Sequence, residues 1–168
     1  MGEHPNAALI ARFYAALDRR DADAMLACYA PDVTFSDPVF PALDARRAAT
    51  MWRMLCARGK DLRVAASGID ADDASGRAHW EATYSYSATG RRVENRIDAT
   101  FAFRAGLIVR HDDRFDLWRW ARQALGLPGL ILGWTPPMQR AIRARADQAL
   151  AAWAARDPNA AASAAKAS

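Results

Sequence analysis

The sequence predicts a single α+β domain, with helices first and an antiparallel sheet after them. Three observations carry that prediction. Apolar residues recur at helical spacing through the first third of the chain. Alternation at a period of two takes over from Leu62 and runs to Phe115. The length, 168 residues, suits one domain with a substantial core.

The elements follow in order. Leu9, Ile10, Phe13, Tyr14 and Leu17 mark an amphipathic helix over residues 6–19. Asp21 can cap a short second helix carrying Met25, Leu26 and Tyr29. Pro31-Asp32 breaks it, and Val33 to Asp37 reads as a short strand. Asp44 can cap a third helix with Ala48, Met51, Trp52 and Leu55 as its buried stripe, ended by Gly59.

Leu62, Val64 and Ala66 open the next strand, which continues irregularly to Asp70. Residues Asp72 to Gly76 are turn-like. Ala78, Trp80, Ala82, Tyr84 and Tyr86 then alternate with polar residues. After Thr89-Gly90, a strand presents Ile97, Ala99, Phe101 and Phe103 on one face; Ala105-Gly106 turns into a last strand from Leu107 toward Phe115.

A tryptophan-rich helix is expected over Leu117 to Leu125, then an apolar loop over residues 126–133. Thr135-Pro136 starts a final helix whose stripe is Met138, Ala141, Ile142, Ala149, Leu150 and Trp153. The expected division is therefore a main domain over 1–125, a loop and amphipathic helix packed on it over 126–156, and a disordered Ala/Ser tail over 157–168.

Bulk properties narrow the function classes. The net charge is +4 and the pI about 9.5, but arginines are scattered among acids. Arg140, Arg143 and Arg145 read as a solvated helix face, so no nucleic-acid partner is expected. No apolar run reaches the roughly 18 residues of a membrane span. The 130–132 run in the apolar loop reads as a lid or dimer contact before a lipid contact. Met1 to Asn6 lack an apolar signal core, and Cys28 and Cys56 read as buried free thiols, so a cytoplasmic location is expected. The histidines are scattered without ligand spacing, so neither a metal nor another cofactor is expected.

The informative residues are polar ones at apolar positions. On the last strand, His111 and Asp113 share parity with Leu107, Val109, Phe115 and Leu117. Burying a carboxylate is costly unless it is hydrogen-bonded, paired or neutralised, and desolvation raises its pKa toward acid/base use. Asp37 repeats the anomaly beside Val33 and Phe35, at a strand end before Pro38. Asn95 and Tyr84 add polar groups to the same inner surface. A mostly apolar surface with few polar groups is the composition of a small-molecule site. Plainer roles stand beside these: Asp37 as a turn cap, His111 as a satisfied core histidine, and Asp113 as the partner of an arginine.

The span from about Asn6 to Leu125 resembles the nuclear transport factor 2-like superfamily, including SnoaL-like domains. The resemblance lies in Arg12-Phe-Tyr-Ala-Ala-Leu17, Asp21-Ala-Asp23, Tyr29-Ala-Pro-Asp32, Asp37-Pro38 and Ala105-Gly106. It implies a cone-shaped fold: a curved, mostly antiparallel sheet wrapped by helices around a pocket, often in a homodimer. Thr34-Phe-Ser-Asp-Pro-Val39 resembles the ketosteroid isomerase segment that holds the general base, which implies that role for Asp37. That enzyme's oxyanion tyrosine and protonated aspartate correspond here to Phe13 and Ala99. His111-Asp-Asp-Arg-Phe-Asp116 resembles the end of limonene epoxide hydrolase, which implies that Asp113 activates water; the supporting arginine and aspartate correspond to Trp80 and Ala82. Arg122-Gln-Ala-Leu-Gly126 resembles the tail of SnoaL-like polyketide cyclases.

The expected function is a cofactor-independent acid/base enzyme, of isomerase, hydrolase or cyclase type, acting on an apolar small molecule. Asp113 is the expected proton acceptor, His111 its helper and Asp37 a second acid/base group. Tyr84 and Asn95 would bind a substrate oxygen. Phe13, Phe35, Trp52, Trp80, Phe101 and Phe115 would form the walls. The alternative is a non-catalytic ligand-binding or dimerisation module on the same fold.

Overall fold

In the computed structural model, which describes residues 4–157, helix α1 (Pro5–Asp18) opens the chain with proline in its first turn. The His4 ring accepts the Asn6 N–H at 3.2 Å and so caps it. Helix α2 (Ala22–Leu26) is capped by Asp21, which accepts the Ala24 N–H at 3.0 Å. Helix α3 (Ala45–Arg58) is capped in the same way by Asp44, and the chain turns out of it at Gly59.

Five strands form one sheet in the order β1-β5-β4-β3-β2. They are β1 (Tyr29–Ser36), β2 (Arg63–Ala71), β3 (Ser75–Ser85), β4 (Arg92–Arg104) and β5 (Leu107–Arg114). Strands β2 to β5 pair antiparallel as consecutive hairpins, whereas β1 pairs parallel to β5. The helical stretch therefore feeds an edge strand that lies directly against the last one. Strand β1 starts at Tyr29, four residues before the expected Val33, because the second helix stops at Leu26. Strand β3 starts at Ser75, because Asp72 closes the turn by accepting the Ala74 and Ser75 N–H groups.

The sheet's inner face carries the core with α1 and α3. Ile10, Phe13, Met51, Ile97 and Ile108 are all essentially inaccessible. The outer face of β3, β4 and β5 is charged and internally paired, as in His79 with Asp98 at 2.8 Å and Arg110 with Asp112 at 3.0 Å.

Parity along β5 needs correction. Ala102 pairs with Arg110 but Phe103 pairs with Ile108, so one extra residue is inserted into β5 around Val109. The buried residues of β5 are Ile108, His111 and Asp113, while Leu107 and Val109 are only half-buried. The bulge lets His111 and Asp113 stay on the inner face together with Ile108.

After the sheet come α4 (Leu117–Ala124), α5 (Leu127–Leu132) and α6 (Pro136–Ala154). The stretch expected as an apolar loop is thus a short helix. Gly126, at φ +69°, makes the left-handed turn into it. A Cβ at Gly129 would lie 2.0 Å from the Ala121 carbonyl oxygen, so only glycine permits this contact between α4 and α5. Leu127, Ile131 and Trp134 are left exposed.

Helix α6 returns across α3. Leu150 is buried, Arg47 pairs with Asp147, and Arg143 Nε donates to the Pro38 carbonyl at 2.9 Å. Arg143 is thus turned inward, away from the solvated face expected for it, and Ala141, expected in the apolar stripe, is exposed. Cys28 and Cys56 are buried free thiols. No described helix is long and apolar enough to cross a membrane. Apart from Asp157, the tail expected to be disordered lies outside the described residues.

Candidate functional site

A cavity of about 230 Å³ lies between the inner face of the sheet, α3 and α6. Asp37, Tyr84, Asn95 and Asp113 all reach its lining, and the rest of the wall is mostly apolar. Asp37 comes from the loop after β1 and Asp113 from the end of β5, so the parallel pairing of these two strands brings both carboxyl groups to one end of the sheet.

Asp113 is 5% exposed, and no arginine among the described residues pairs with it. Its Oδ1 accepts from Trp80 Nε1 at 3.3 Å and meets His111 Nε2 at 2.9 Å. Asp113 pairs across the ladder with Ala99, whose side chain is a single methyl, and Trp80 lies on the strand beyond. His111 is fully buried, enclosed by the rings of Phe13, Phe35, Phe101 and Trp52. Its Nδ1 lies 2.8 Å from the Tyr29 hydroxyl, which also accepts from Trp52 Nε1 at 3.0 Å. A continuous buried chain of polar atoms therefore runs from Trp52 through Tyr29 and His111 to Asp113.

Asp37 is half-buried, and its Oδ1 accepts the Val39 and Phe40 N–H groups at 2.7 and 2.5 Å. The turn-capping role is therefore real, and it coexists with the position on the cavity wall. Burial pushes the Asp37 carboxyl up to about 7, against the lowering pull of those N–H groups, and the negative charge of Asp113 adds to the rise. Tyr84 accepts from Trp120 Nε1 at 2.8 Å, which leaves its own O–H for an acceptor in the cavity. Burial raises that phenol to about 12, so it stays protonated. The Asn95 side chain also faces the cavity.

Trp52, Trp80 and Phe115 line the cavity. Phe13, Phe35 and Phe101 do not; they fill the core behind it at 0%, 2% and 3% exposure. His111 likewise stands behind Asp113, out of the cavity. Lining residues missed by sequence reasoning include Met51 and Met54 of α3, Trp120 of α4, and Ile142, Ala146 and Ala149 of α6; behind the cavity, the missed polar residue is Tyr29. Tyr29 was masked by its place in a helix-like apolar pattern. The apolar stripe of α6 carries no signal for a cavity until the helix is docked. Among the described residues, no group of three or more His, Cys, Asp or Glu side chains could hold a metal ion.

Residues 10–111 match the family model of the SnoaL-like domain. The chain belongs to the SnoaL-like family. That places it in the nuclear transport factor 2-like superfamily, with the α+β fold just described. The SnoaL-like match ends at His111, so Asp113 stands just beyond it.

Solved structures share this fold. A nuclear transport factor 2-like protein of unknown function from Burkholderia pseudomallei superposes with a TM-score of 0.64 at 19% identity, covering 72% of this chain and 98% of its own. A protein from Xanthomonas campestris pv. campestris, provisionally described as a polyketide cyclase, gives 0.60 at 24% identity, with 71% and 96% covered. An epoxide hydrolase of the LEH-like type from M. tuberculosis gives 0.59 at 22% identity, with 77% and 96% covered. At these identities the likeness is one of fold. No functionally curated protein matches the sequence significantly.

Proposed function

We propose that this SnoaL-like protein is a cofactor-independent acid/base enzyme acting on an apolar small molecule that carries a carbonyl, hydroxyl or epoxide oxygen. The observation that carries the reading is the pair of unlike carboxyl groups on one cavity. Asp113 has Oδ1 occupied by two donors and no arginine or lysine partner among the described residues, so Oδ2 is the atom left to accept a proton. Asp37 is held near neutrality by burial, so it can donate one close to pH 7. Groups whose environments separate their acidities divide naturally into base and acid. Tyr84 and Asn95, both on the cavity lining, would hold the oxygen on which charge develops.

The step is the same for each member of the class. Asp113 takes a proton from carbon or from water. The new electron pair forms a C–C or C–O bond, or a double bond, and Asp37 protonates the oxygen or carbon that receives the displaced pair. Neighbouring structures described as a polyketide cyclase and an epoxide hydrolase support a chemistry of this kind.

The test is a panel of cyclic aryl ketones scored for α-deuterium exchange, aryl and terpene epoxides scored for hydrolysis, and β-polyketide esters scored for cyclisation. At least one class should turn over. Asp113→Asn should lower that rate by about 10²- to 10⁴-fold with an unchanged circular-dichroism spectrum. Compounds that bind without conversion would instead mark a binding module, and full turnover by Asp113→Asn would remove the proposed base.

A further inference from the structure

We propose that Tyr29, backed by Trp52, is a positioning residue that holds His111 as the neutral Nε2–H tautomer and thereby commits one oxygen of Asp113. This builds on the reading of Asp113 as base, but it concerns where the protons of the buried chain reside.

Donor and acceptor counting leaves one arrangement. Indole Nε1 can only donate, so the Tyr29 oxygen accepts from Trp52 at 3.0 Å. The Tyr29 O–H then has one acceptor within reach, His111 Nδ1 at 2.8 Å. An Nδ1 that accepts must be unprotonated, so the ring proton of neutral His111 is on Nε2 and donates to Asp113 Oδ1 at 2.9 Å. The other assignments each cost more. An imidazolium, or the Nδ1–H tautomer, would donate to the Tyr29 oxygen and leave the buried phenol proton without an acceptor, which is costly. The Nδ1–H tautomer would in addition set the Nε2 lone pair against the Asp113 carboxylate.

The surroundings hold this arrangement. The titratable groups that act on the ring are Tyr29 and Asp113, by hydrogen bonds, and Asp37, by its charge; the other neighbours are Phe13, Phe35, Trp52 and Phe101. Burial raises Tyr29 well above its ordinary value, so it remains a donor. With Trp80 as second donor, Oδ1 of Asp113 is fully engaged and the carboxylate plane is set.

The experiment is a long-range ¹H–¹⁵N spectrum of the full-length protein with ¹⁵N-labelled histidine, recorded without ligand. There are three histidines, so His4→Gln and His79→Gln assign the His111 signals. The expected spectrum has a protonated Nε2 and an unprotonated, hydrogen-bonded Nδ1. In Tyr29→Phe, Nδ1 should shift toward the position of an imidazole nitrogen without a donor, and the Nε2 proton should exchange faster with water. Should that variant fail to fold, Trp52→Phe weakens the same anchor and should move Nδ1 in the same sense. A wild-type His111 protonated on Nδ1, or on both nitrogens, overturns the proposal, and so does a Tyr29→Phe or Trp52→Phe spectrum identical to wild type. These outcomes are read without turnover, so they are separate from loss of the base role, which Asp113→Asn kinetics decide.

Discussion

A carboxyl group's use depends on what its two oxygens meet. Asp113 and Asp37 each have one oxygen engaged by two N–H donors, but the donors differ in kind. For Asp113 they are the side chains of His111, on its own strand, and of Trp80, reaching across the sheet; for Asp37 they are backbone groups of its own turn. The carboxyl of Asp37, at about 7, gives a signed prediction. If its protonated form is the acid, turnover should fall as pH rises through about 7. Asp37→Asn should lower turnover and abolish that limb, because asparagine cannot ionise while its amide oxygen can still accept the turn's N–H groups. A pH–rate profile of both forms checks this, and an alkaline limb that persists unaltered in Asp37→Asn assigns the acid elsewhere.

Helices α4 and α6 contribute to the cavity's wall, and α5 packs against α4. The approach of α5 to α4 depends on Gly129, since a Cβ there would lie 2.0 Å from the Ala121 carbonyl oxygen. Gly129→Ala should therefore destabilise the fold by about 1–3 kcal/mol, as overpacking does. Urea denaturation measures it, and unchanged stability would mean that α5 moves away freely. Helix α6 contributes Ile142, Ala146 and Ala149 to the lining. Ala146→Leu should shrink the cavity and weaken binding of the larger substrates first, raising KM with little change in kcat, because no reacting group is touched. A fall in kcat alone would place α6 nearer the chemistry than the lining residues indicate.

The stability of the whole molecule should record its buried acid. The Asp37 carboxyl is raised from 3.8 to about 7 on folding. A raised carboxyl binds its proton more tightly in the folded state, so its stabilising contribution is greatest below the unfolded value. It declines as pH rises from about 4 to about 7 and is flat above that. Exposed Asp61 and Asp72 are shifted down by hydrogen bonds from Ser85 and from Ser75 and Ala74, so they act oppositely and lose stabilisation in acid. Denaturation of wild type and Asp37→Asn across this range isolates the first effect: the stability of wild type relative to the variant should fall between pH 4 and 7. A difference that does not vary with pH would show that Asp37 ionises alike in both states.

Local pattern determined much of this molecule by itself. Helical and alternating periods located α1, α3, α6, β3 and β4, and Asp21 and Asp44 announced their caps because capping is decided within a few residues. A carboxylate among apolar neighbours marked Asp37 and Asp113 for the same local reason: its desolvation must be answered somewhere. For Asp37 the answer is local, in the N–H groups of Val39 and Phe40, whereas for Asp113 it includes Trp80, which is remote in sequence. The parallel β1–β5 pairing, the bulge near Val109, and the docking of α6 over the sheet were decided only by tertiary structure. They separated Trp80, which faces the cavity, from Phe13, which is buried behind it, although both are aromatic residues on apolar faces. They also turned Tyr29, apparently a plain apolar residue, into the donor to His111. Hydrogen bonds act over about 3 Å, so a network joining residues as far apart in sequence as Tyr29 and Asp113 exists only once the sheet has closed.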